Sequence, residues 1–526
     1  MTNQSQHYIT PAWVADQGDG TFRNPVLHAD YSDPDVIRVG EDFYMTASSF
    51  GHLPGLPILH SKDLVNWRLI NHAIQTMPLE GYERPQHGKG VWAPAIRHHD
   101  GKFWIYYGDP DVGIFMTQAD DPADEWSPLH LVKAGKGLID TCPFWDEDGQ
   151  AYLVHAYAHS RSGIKHKLNL CRMTPDGKQL LDEGQIVFDG TESHPTMEGP
   201  KMYKRNGWYY IFAPAGGVAT GWQVVMRSQS VFGPYEDRIV MHQGESEVNG
   251  PHQGGWVELE SGESWFMHFQ DKDAYGRIVH LQPVTWIDDW PIIGKARGTN
   301  AEIGEPVERL TKPDVGKDWP IEIPETTDEF DAVDLGLQWQ WQGNLQEDWY
   351  SLQERPGHLR LFAAPALDGT ELYDAPQLLM QKFPALAFAA ETRLDFAQLR
   401  PQAQAGMIVF GLRYLYLAIR GSEEGQAGQL VLVQGTEEQE QQLWSTVCQG
   451  NVVTIRLVVE EGAKCSFTYS WDGERFHSVE APLFQAEPGK WVGAKCGLFA
   501  LTLSGQESAG YVDADYFRIG KVQANA

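Results

Sequence analysis

The 526-residue chain is poor in cysteine, in basic residues and in unbroken apolar runs. Its five cysteines, Cys142, Cys171, Cys448, Cys465 and Cys496, are odd in number and widely spread. No CxxC pair occurs, which removes the usual signatures of zinc ribbons and thioredoxin-like redox sites. Scattered reduced thiols are the expectation, as in a cytoplasmic protein. Lys and Arg total 41 against 71 Asp and Glu, a formal charge of −30. Nucleic acids and anionic membranes select basic surfaces, so neither is an expected partner. No stretch approaches the ~18 apolar residues of a membrane span. Met1–Tyr8 has neither a basic nor an apolar leader region, so no signal peptide is expected. HExxH, GxSxG and Walker patterns are missing, leaving zinc-protease, serine-hydrolase and nucleotide chemistry without support.

What the chain does have is aromatics, glycine and proline: 19 Trp, 20 Tyr, 22 Phe, 53 Gly and 31 Pro. This is the profile of many short strands joined by tight turns. The first 300 residues carry a loose repeat in which a polar or aromatic residue near a proline precedes an apolar strand, a turn and an aromatic-rich strand. Asp33-Pro-Asp-Val-Ile-Arg, Trp92-Ala-Pro-Ala-Ile-Arg, Asp140-Thr-Cys-Pro-Phe-Trp, Glu198-Gly-Pro-Lys-Met-Tyr and the weaker Asn249-Gly-Pro-His-Gln-Gly open the five copies. The anchor prolines, Pro34, Pro94, Pro143, Pro200 and Pro251, stand about 50–60 residues apart. Turn pairs such as Asp100-Gly101, Asp148-Gly149 and Asn206-Gly207 put a hairpin in the copies. The interval holds a four-stranded blade, and five copies predict a five-bladed β-propeller.

Over 306–327 the pattern gives way to a charged stretch with Pro306, Pro313, Pro320 and Pro324, which reads as a linker. The propeller is thus expected over 1–305. From Asp328 to the end, short alternating runs such as Gln429-Leu-Val-Leu-Val and Asn451-Val-Val-Thr-Ile predict an all-β sandwich. Helix signals are scarce, and the polar run Thr436–Trp444 reads as a turn or one short helix. His98 and His99 read as a surface turn, and His155 and His159 as members of one strand.

In a propeller the innermost strand of each blade points one end at the axis. The repeat heads Asp33, Trp92, Asp140, Glu198 and His252 therefore converge on one funnel. Carboxyl groups brought close together shift each other's pKa, as acid/base chemistry requires. An aromatic beside them suits the apolar face of a sugar ring.

These segments resemble glycoside hydrolase family 43. The resemblance rests on Asn24-Pro-Val-Leu-His-Ala-Asp-Tyr-Ser-Asp33-Pro-Asp-Val-Ile-Arg, Leu59-His-Ser-Lys-Asp-Leu-Val-Asn-Trp67, Val91-Trp-Ala-Pro-Ala, Ile139-Asp140 with Asp146-Glu-Asp-Gly, and Glu198-Gly-Pro. The second half is similar to the concanavalin-A-like sandwich of the family's two-domain members. The resemblance implies an inverting, exo-acting glycosidase that releases terminal α-L-arabinofuranose or β-D-xylose from hemicellulose oligosaccharides. It implies Asp33 as general base, Glu198 as general acid and Asp140 as the group that tunes Glu198. It also implies Phe50 and Trp92 as a sugar platform, Arg277 on sugar hydroxyls, and His252 beside an axial calcium held largely through water. A second calcium near Glu329 and Asp515 is a further expectation. Asp35, where relatives often have Ser, is expected to add charge near the base. Gly51-His52-Leu-Pro-Gly leans toward arabinofuranosidase-type members. An endo-arabinanase, a non-catalytic carbohydrate-binding protein and a retaining fructoside hydrolase are the alternatives. Whether copies of the chain assemble stays open.

Overall fold

The computed structural model describes residues 10–297, 302–365, 372–423, 427–502 and 510–522. Met1–Tyr8 lies outside them. Among the described residues the chain is nearly all strand: five four-strand units form a propeller and two larger sheets form a sandwich.

Each blade is a meander whose strands pair in chain order. Blade I runs Asp35–Val39, Asp42–Thr46, Gly55–Ser61 and Trp67–Ile74; blade II runs Trp92–His99, Lys102–Asp109, Gly113–Ala119 and His130–Ala134. Blade III is Leu138–Trp145, Ala151–Tyr157, Lys167–Met173 and Gln185–Asp189. Blade IV is Lys201–Arg205, Trp208–Ala215, Trp222–Ser228 and Glu236–Met241, extended at its outer edge by Gly304–Glu305 and Lys295–Ala296. Blade V is His252–Glu258, Ser264–Asp271, Arg277–Ile287 and Trp290–Ile293. Asp100-Gly101 and Asn206-Gly207 are both left-handed at both positions, which matches the twist of a two-residue hairpin. Second strands such as Phe103–Asp109 and Trp265–Gln270 are buried on both faces because a neighbouring blade covers each side. Their sequences are therefore continuously apolar rather than alternating, whereas the rim strand Gln185–Asp189 stays open to solvent.

The ring is closed by residues that precede the first blade. Leu27 and Val279 exchange backbone bonds, and the Asn24 side chain donates to the carbonyls of Leu281 and Val307 (2.8 Å each) while accepting from Leu281 N (2.8 Å). The stretch 306–327, expected as plain linker, takes part: Arg309–Thr311 pairs with Thr21–Arg23. Backbone left unpaired at a ring seam would be costly, so the exit segment is recruited to cover the entry.

In the sandwich, one sheet is ordered Tyr350–Ser351, Leu359–Phe362, Tyr511–Gly520, Phe388–Asp395, Val452–Glu460, Lys464–Ser470 and His477–Ser478. The other is Ala364–Pro365, Lys495–Thr502, Ala403–Phe410, Tyr414–Arg420, Gln429–Gly435 and Glu440–Val447, with Leu379–Lys382 paired to Lys495–Thr502. Their facing sides share one core. The second sheet also buries its other face, with Tyr373, Phe410, Tyr414, Tyr416 and Phe499. Glu440–Val447 corrects the turn-or-helix reading of Thr436–Trp444: it is an edge strand, polar because most of it is solvated. His98 and His99 likewise end a strand, and His99 stacks on Trp145 at 4.5 Å. His159 leaves the strand of His155 and opens the short helix His159–Ser162.

The two domains dock closely. Leu53 and Trp341 exchange backbone bonds, Asn344 bonds both ways with Met77, and Ala494 N donates to Ala274 O at 2.7 Å. Asn24→Ala removes three buried bonds at the seam, each worth about 1–3 kcal/mol when its partner is left unpaired. It should lower urea-unfolding stability by roughly 2–5 kcal/mol with an unchanged m-value, read by far-UV circular dichroism.

Candidate active site

Each blade enters its inner strand through one left-handed residue: Asp33 (φ 56°), Ala93 (34°), Asp140 (57°), Gly199 (58°) and Gln253 (54°). The strand register slips beside these positions in blades II, III and V. The kink turns the head side chain off the sheet and toward the axis. An L-residue adopts it at a cost of about 1–2 kcal/mol. At Gly199 a side chain is disfavoured twice, by the left-handed backbone and because a Cβ would lie 2.7 Å from the Gln253 side chain, which would have to move.

Asp33 is buried and fully engaged. Its Oδ2 accepts from Ser32 Oγ and Ser48 Oγ at 2.6 Å each, and Arg277 Nη1 lies 3.1 Å from Oδ1 and 3.3 Å from Oδ2. The same Nη1 donates to Ser32 Oγ at 2.7 Å. Ser48 Oγ in turn accepts from Ala93 N at 2.8 Å, tying the heads of blades I and II together. Asp140 Oδ2 accepts from Gly199 N at 2.7 Å. Burial above all, and then the charge of Asp33, pushes the Asp140 carboxyl upward; the Gly199 N–H, the Lys201 ammonium and Arg277 pull against that rise. The Glu198 carboxyl receives no hydrogen bond from the described residues. Burial first, then Asp140, lifts it to about 8, opposed by Arg277. The two raised groups share one proton. They titrate as a pair, and Glu198 is the stronger holder of that proton, because Asp140 faces an N–H donor and Glu198 does not.

The walls are aromatic. Phe50 and Val91 exchange backbone bonds, which sets Phe50 edge-on to Trp92 at 6.2 Å. Phe50 is only 3% exposed, so it buttresses Trp92 rather than offering its own face. Trp92 is half-buried, and its Nε1 donates to Gly88 O at 3.1 Å. Trp491 reaches in from the sandwich: its ring meets Trp92 at 6.0 Å, and Arg277 Cζ lies 5.8 Å from it. It is 48% exposed and held at φ 69°. A Cβ at Gly88 would touch it at 3.0 Å, so the propeller rim is bare where the second domain arrives.

Ser32, Ser48, Lys201 and Trp491 were not legible as site residues. The serines are ordinary in composition, and Trp491 belongs to the other domain. Its one sequence cue is a lone Trp between Gly489-Lys490 and Val492-Gly493. Arg277, read as a sugar ligand, is bonded here to Asp33. The Asp35 charge, expected near the base, is paired: its Oδ2 accepts from Arg97 Nη1 at 2.6 Å and from Ile96 N at 2.8 Å.

His252 is fully buried, with Nδ1 2.6 Å from Gly250 O and Nε2 without a partner. Burial lowers it to about 4, so the ring is neutral and Nε2 carries a lone pair. A calcium ion wants six to eight oxygens. No group of three or more His, Cys, Asp or Glu among the described residues could hold a metal. These residues therefore do not form a calcium cage, and Nε2 is left for water or a hydrated cation. Glu329 and Asp515 are likewise no pair: Arg518 bonds Glu329 at 2.7 Å, and Asp515 lies 3.9 Å from His358 and 3.8 Å from Arg393.

Ser48→Ala deletes the hydroxyl shared by Asp33 and Ala93 N. It should lower kcat/KM on an aryl pentoside by roughly tenfold, about one lost hydrogen bond to a charged group, with the melting temperature nearly kept.

The family profile described as Glycosyl hydrolases family 43 matches residues 22–291. A second, Beta xylosidase C-terminal Concanavalin A-like domain, matches 327–520. A Xylanibacter ruminicola protein is 40% identical over 496 residues, 93% of this chain and 88% of its own. A beta-xylosidase of Formosa agariphila is 32% identical over 561 residues, 97% and 91% of the two chains. The Bacillus halodurans xylan beta-1,4-xylosidase structure superposes with a TM-score of 0.83 at 25% identity, over 95% of this chain and all of that one. Three carboxyl groups in an aromatic funnel, the paired domains and these matches agree: the chain is a glycoside hydrolase and belongs to family 43.

Proposed function

We propose that this enzyme removes single pentoses, β-D-xylose and α-L-arabinofuranose, from the non-reducing ends of hemicellulose oligosaccharides with inversion at the anomeric carbon. The observation that carries it is the division of labour among the carboxyl groups. Asp33 is saturated with donors, including a guanidinium, and Glu198, half-buried, receives none from the described residues. An inverting hydrolysis needs one carboxylate and one carboxylic acid on opposite faces of the sugar.

Glu198 gives its proton to the departing glycosidic oxygen as the C–O bond breaks. Asp33 accepts a proton from water as the water oxygen bonds the anomeric carbon from the other face. The sugar leaves with inverted configuration, Glu198 ends ionised and Asp33 protonated, and exchange with solvent resets both. Burial first, and then the Asp140 charge, make Glu198 hold its proton until the leaving oxygen takes it, and Arg277 moderates that push. Trp92 and Trp491 offer faces for the apolar side of the ring, and the Trp491 wall favours a pocket for a chain end over an open endo cleft.

For substrate, relatives named beta-xylosidase and one named non-reducing end alpha-L-arabinofuranosidase both support the pentose class. The beta-xylosidase of Formosa agariphila aligns along nearly its whole length, whereas the arabinofuranosidase of Bacteroides ovatus aligns over 73% of its own. We therefore place xylose first, against the leaning drawn from Gly51–Gly55; His52 of that run faces Lys382 and Lys495 of the second domain. Five free, buried cysteines support a reducing, cytoplasmic setting that receives imported oligosaccharides.

Side-by-side hydrolysis of nitrophenyl β-D-xyloside and α-L-arabinofuranoside should show activity on both, xylose ahead; inactivity on both would overturn the substrate class. Proton NMR of the first product should show the inverted anomer, and the retained anomer would refute the mechanism. Activity requires protonated Glu198, so kcat/KM should fall about tenfold per pH unit above a basic limb near 8. Glu198→Gln should lower turnover of xylobiose by about 10²–10⁴-fold and remove that limb, while a dinitrophenyl xyloside, which leaves unaided, should lose far less.

A further inference from the structure

We propose that Asp30 is a positioning residue that joins the second domain to Arg277, at a seam where the sandwich also buries Lys382 and Lys495. This inference rests on the roles given above to Arg277 and Trp491. Asp30 is 4% exposed. Its Oδ1 accepts from Arg277 N at 2.9 Å, and its Oδ2 accepts from Gly493 N, in the sandwich, at 2.9 Å. One carboxyl group thus fixes the main chain of the residue that holds Asp33 and the main chain two residues from Trp491.

Two glycines make room for this bridge. A Cβ at Gly276 would lie 2.5 Å from Asp30 Cγ, and one at Gly493 would lie 2.7 Å from Gly276 N. The domains therefore meet backbone to backbone at this point, with the carboxyl group between them. Ala494 N donating to Ala274 O, and Tyr275 Oη bonded to Leu386 O and Ala463 N, continue the seam on either side.

Lys382 Nζ lies over the ring of Tyr31, the chain neighbour of Asp30, at 5.2 Å. Lys382 and Lys495 face each other across paired strands, an arrangement that like charges disfavour. Both Nζ atoms lean on one neutral acceptor, Gln340 Oε1, at 3.4 and 3.1 Å. Among the described residues neither makes an ion pair. Burial pushes both ammonium groups down, and the Asp30 charge opposes that on each. Buried ammonium groups are costly when uncompensated.

The test uses the full chain and four variants: Asp30→Asn, Lys495→Met, Trp491→Ala, and Asp30→Asn with Trp491→Ala. Asparagine matches the shape of aspartate, but its Nδ2 meets the N–H of Gly493 or Arg277 donor to donor. On nitrophenyl xyloside, Asp30→Asn should lower kcat/KM on the order of tenfold to a hundredfold, mostly through KM, since small misplacements of a site carry penalties of that size. Lys495→Met should shift KM the same way by less. In the Trp491→Ala background the KM effect of Asp30→Asn should shrink to within about twofold, the mark of coupled residues. Hydrogen exchange should quicken in peptides 274–279 and 489–494 of Asp30→Asn, a readout independent of turnover. Unchanged exchange in both peptides, wild-type KM, or effects that simply multiply with those of Trp491→Ala would overturn the proposal. An inactive wild type with quickened exchange would instead fault the substrate reading and leave the Asp30 bridge supported.

Discussion

Three carboxyl groups from three blades share one buried funnel, and they cannot all carry charge together. Burial penalises each charge, and each charge penalises the next. The polar surroundings sort the groups. Asp33 takes the guanidinium and two hydroxyls, Asp140 takes a backbone N–H, and Glu198 takes nothing from the described residues. The proton left over goes where no donor waits. A binding protein has no need for so expensive a cluster, whereas acid/base hydrolysis cannot proceed without one group in each state.

The fold supplies that cluster through a repeated distortion. Five inner strands are entered through five left-handed residues, and four of those are not glycine. Such strain persists only where the surroundings over-determine it. Here the ring does so, because blades wedge against their neighbours and the seam at Asn24 prevents the ring from opening. The sandwich is part of the same construction. It lays Trp491 across the funnel and, through Gly493 and Asp30, reaches the backbone of Arg277. A propeller without it would keep the carboxyl groups and lose a wall.

Much of this could be read from residue order. Alternation and turn pairs marked the strands, and the repeat placed Asp33, Trp92, Asp140, Glu198 and His252 at equivalent positions because each blade repeats one backbone path. Pairing across distance could not be read. Nothing in the string says that Arg277 Nη1 reaches Asp33, that Asp35 turns to Arg97, or that 309–311 comes back to 21–23. The first and third are set by ring closure over more than 200 residues and the second by the neighbouring blade, 62 residues on, not by local period. The polar edge strand Glu440–Val447 was missed for a related reason: an outer strand exposed on most of its length loses the alternation that marks a half-buried one.

The central claim is that Glu198 carries a proton at neutral pH, held there by burial and by the neighbouring Asp140. Difference infrared spectroscopy of the wild type against Glu198→Gln tests it without substrate. At pH 6.5 the account predicts a carbonyl stretch of a protonated carboxylic acid that Glu198→Gln lacks, converting to carboxylate bands as pH rises through about 8. Carboxylate bands already present at pH 6.5, with the conversion falling below pH 5, would contradict it.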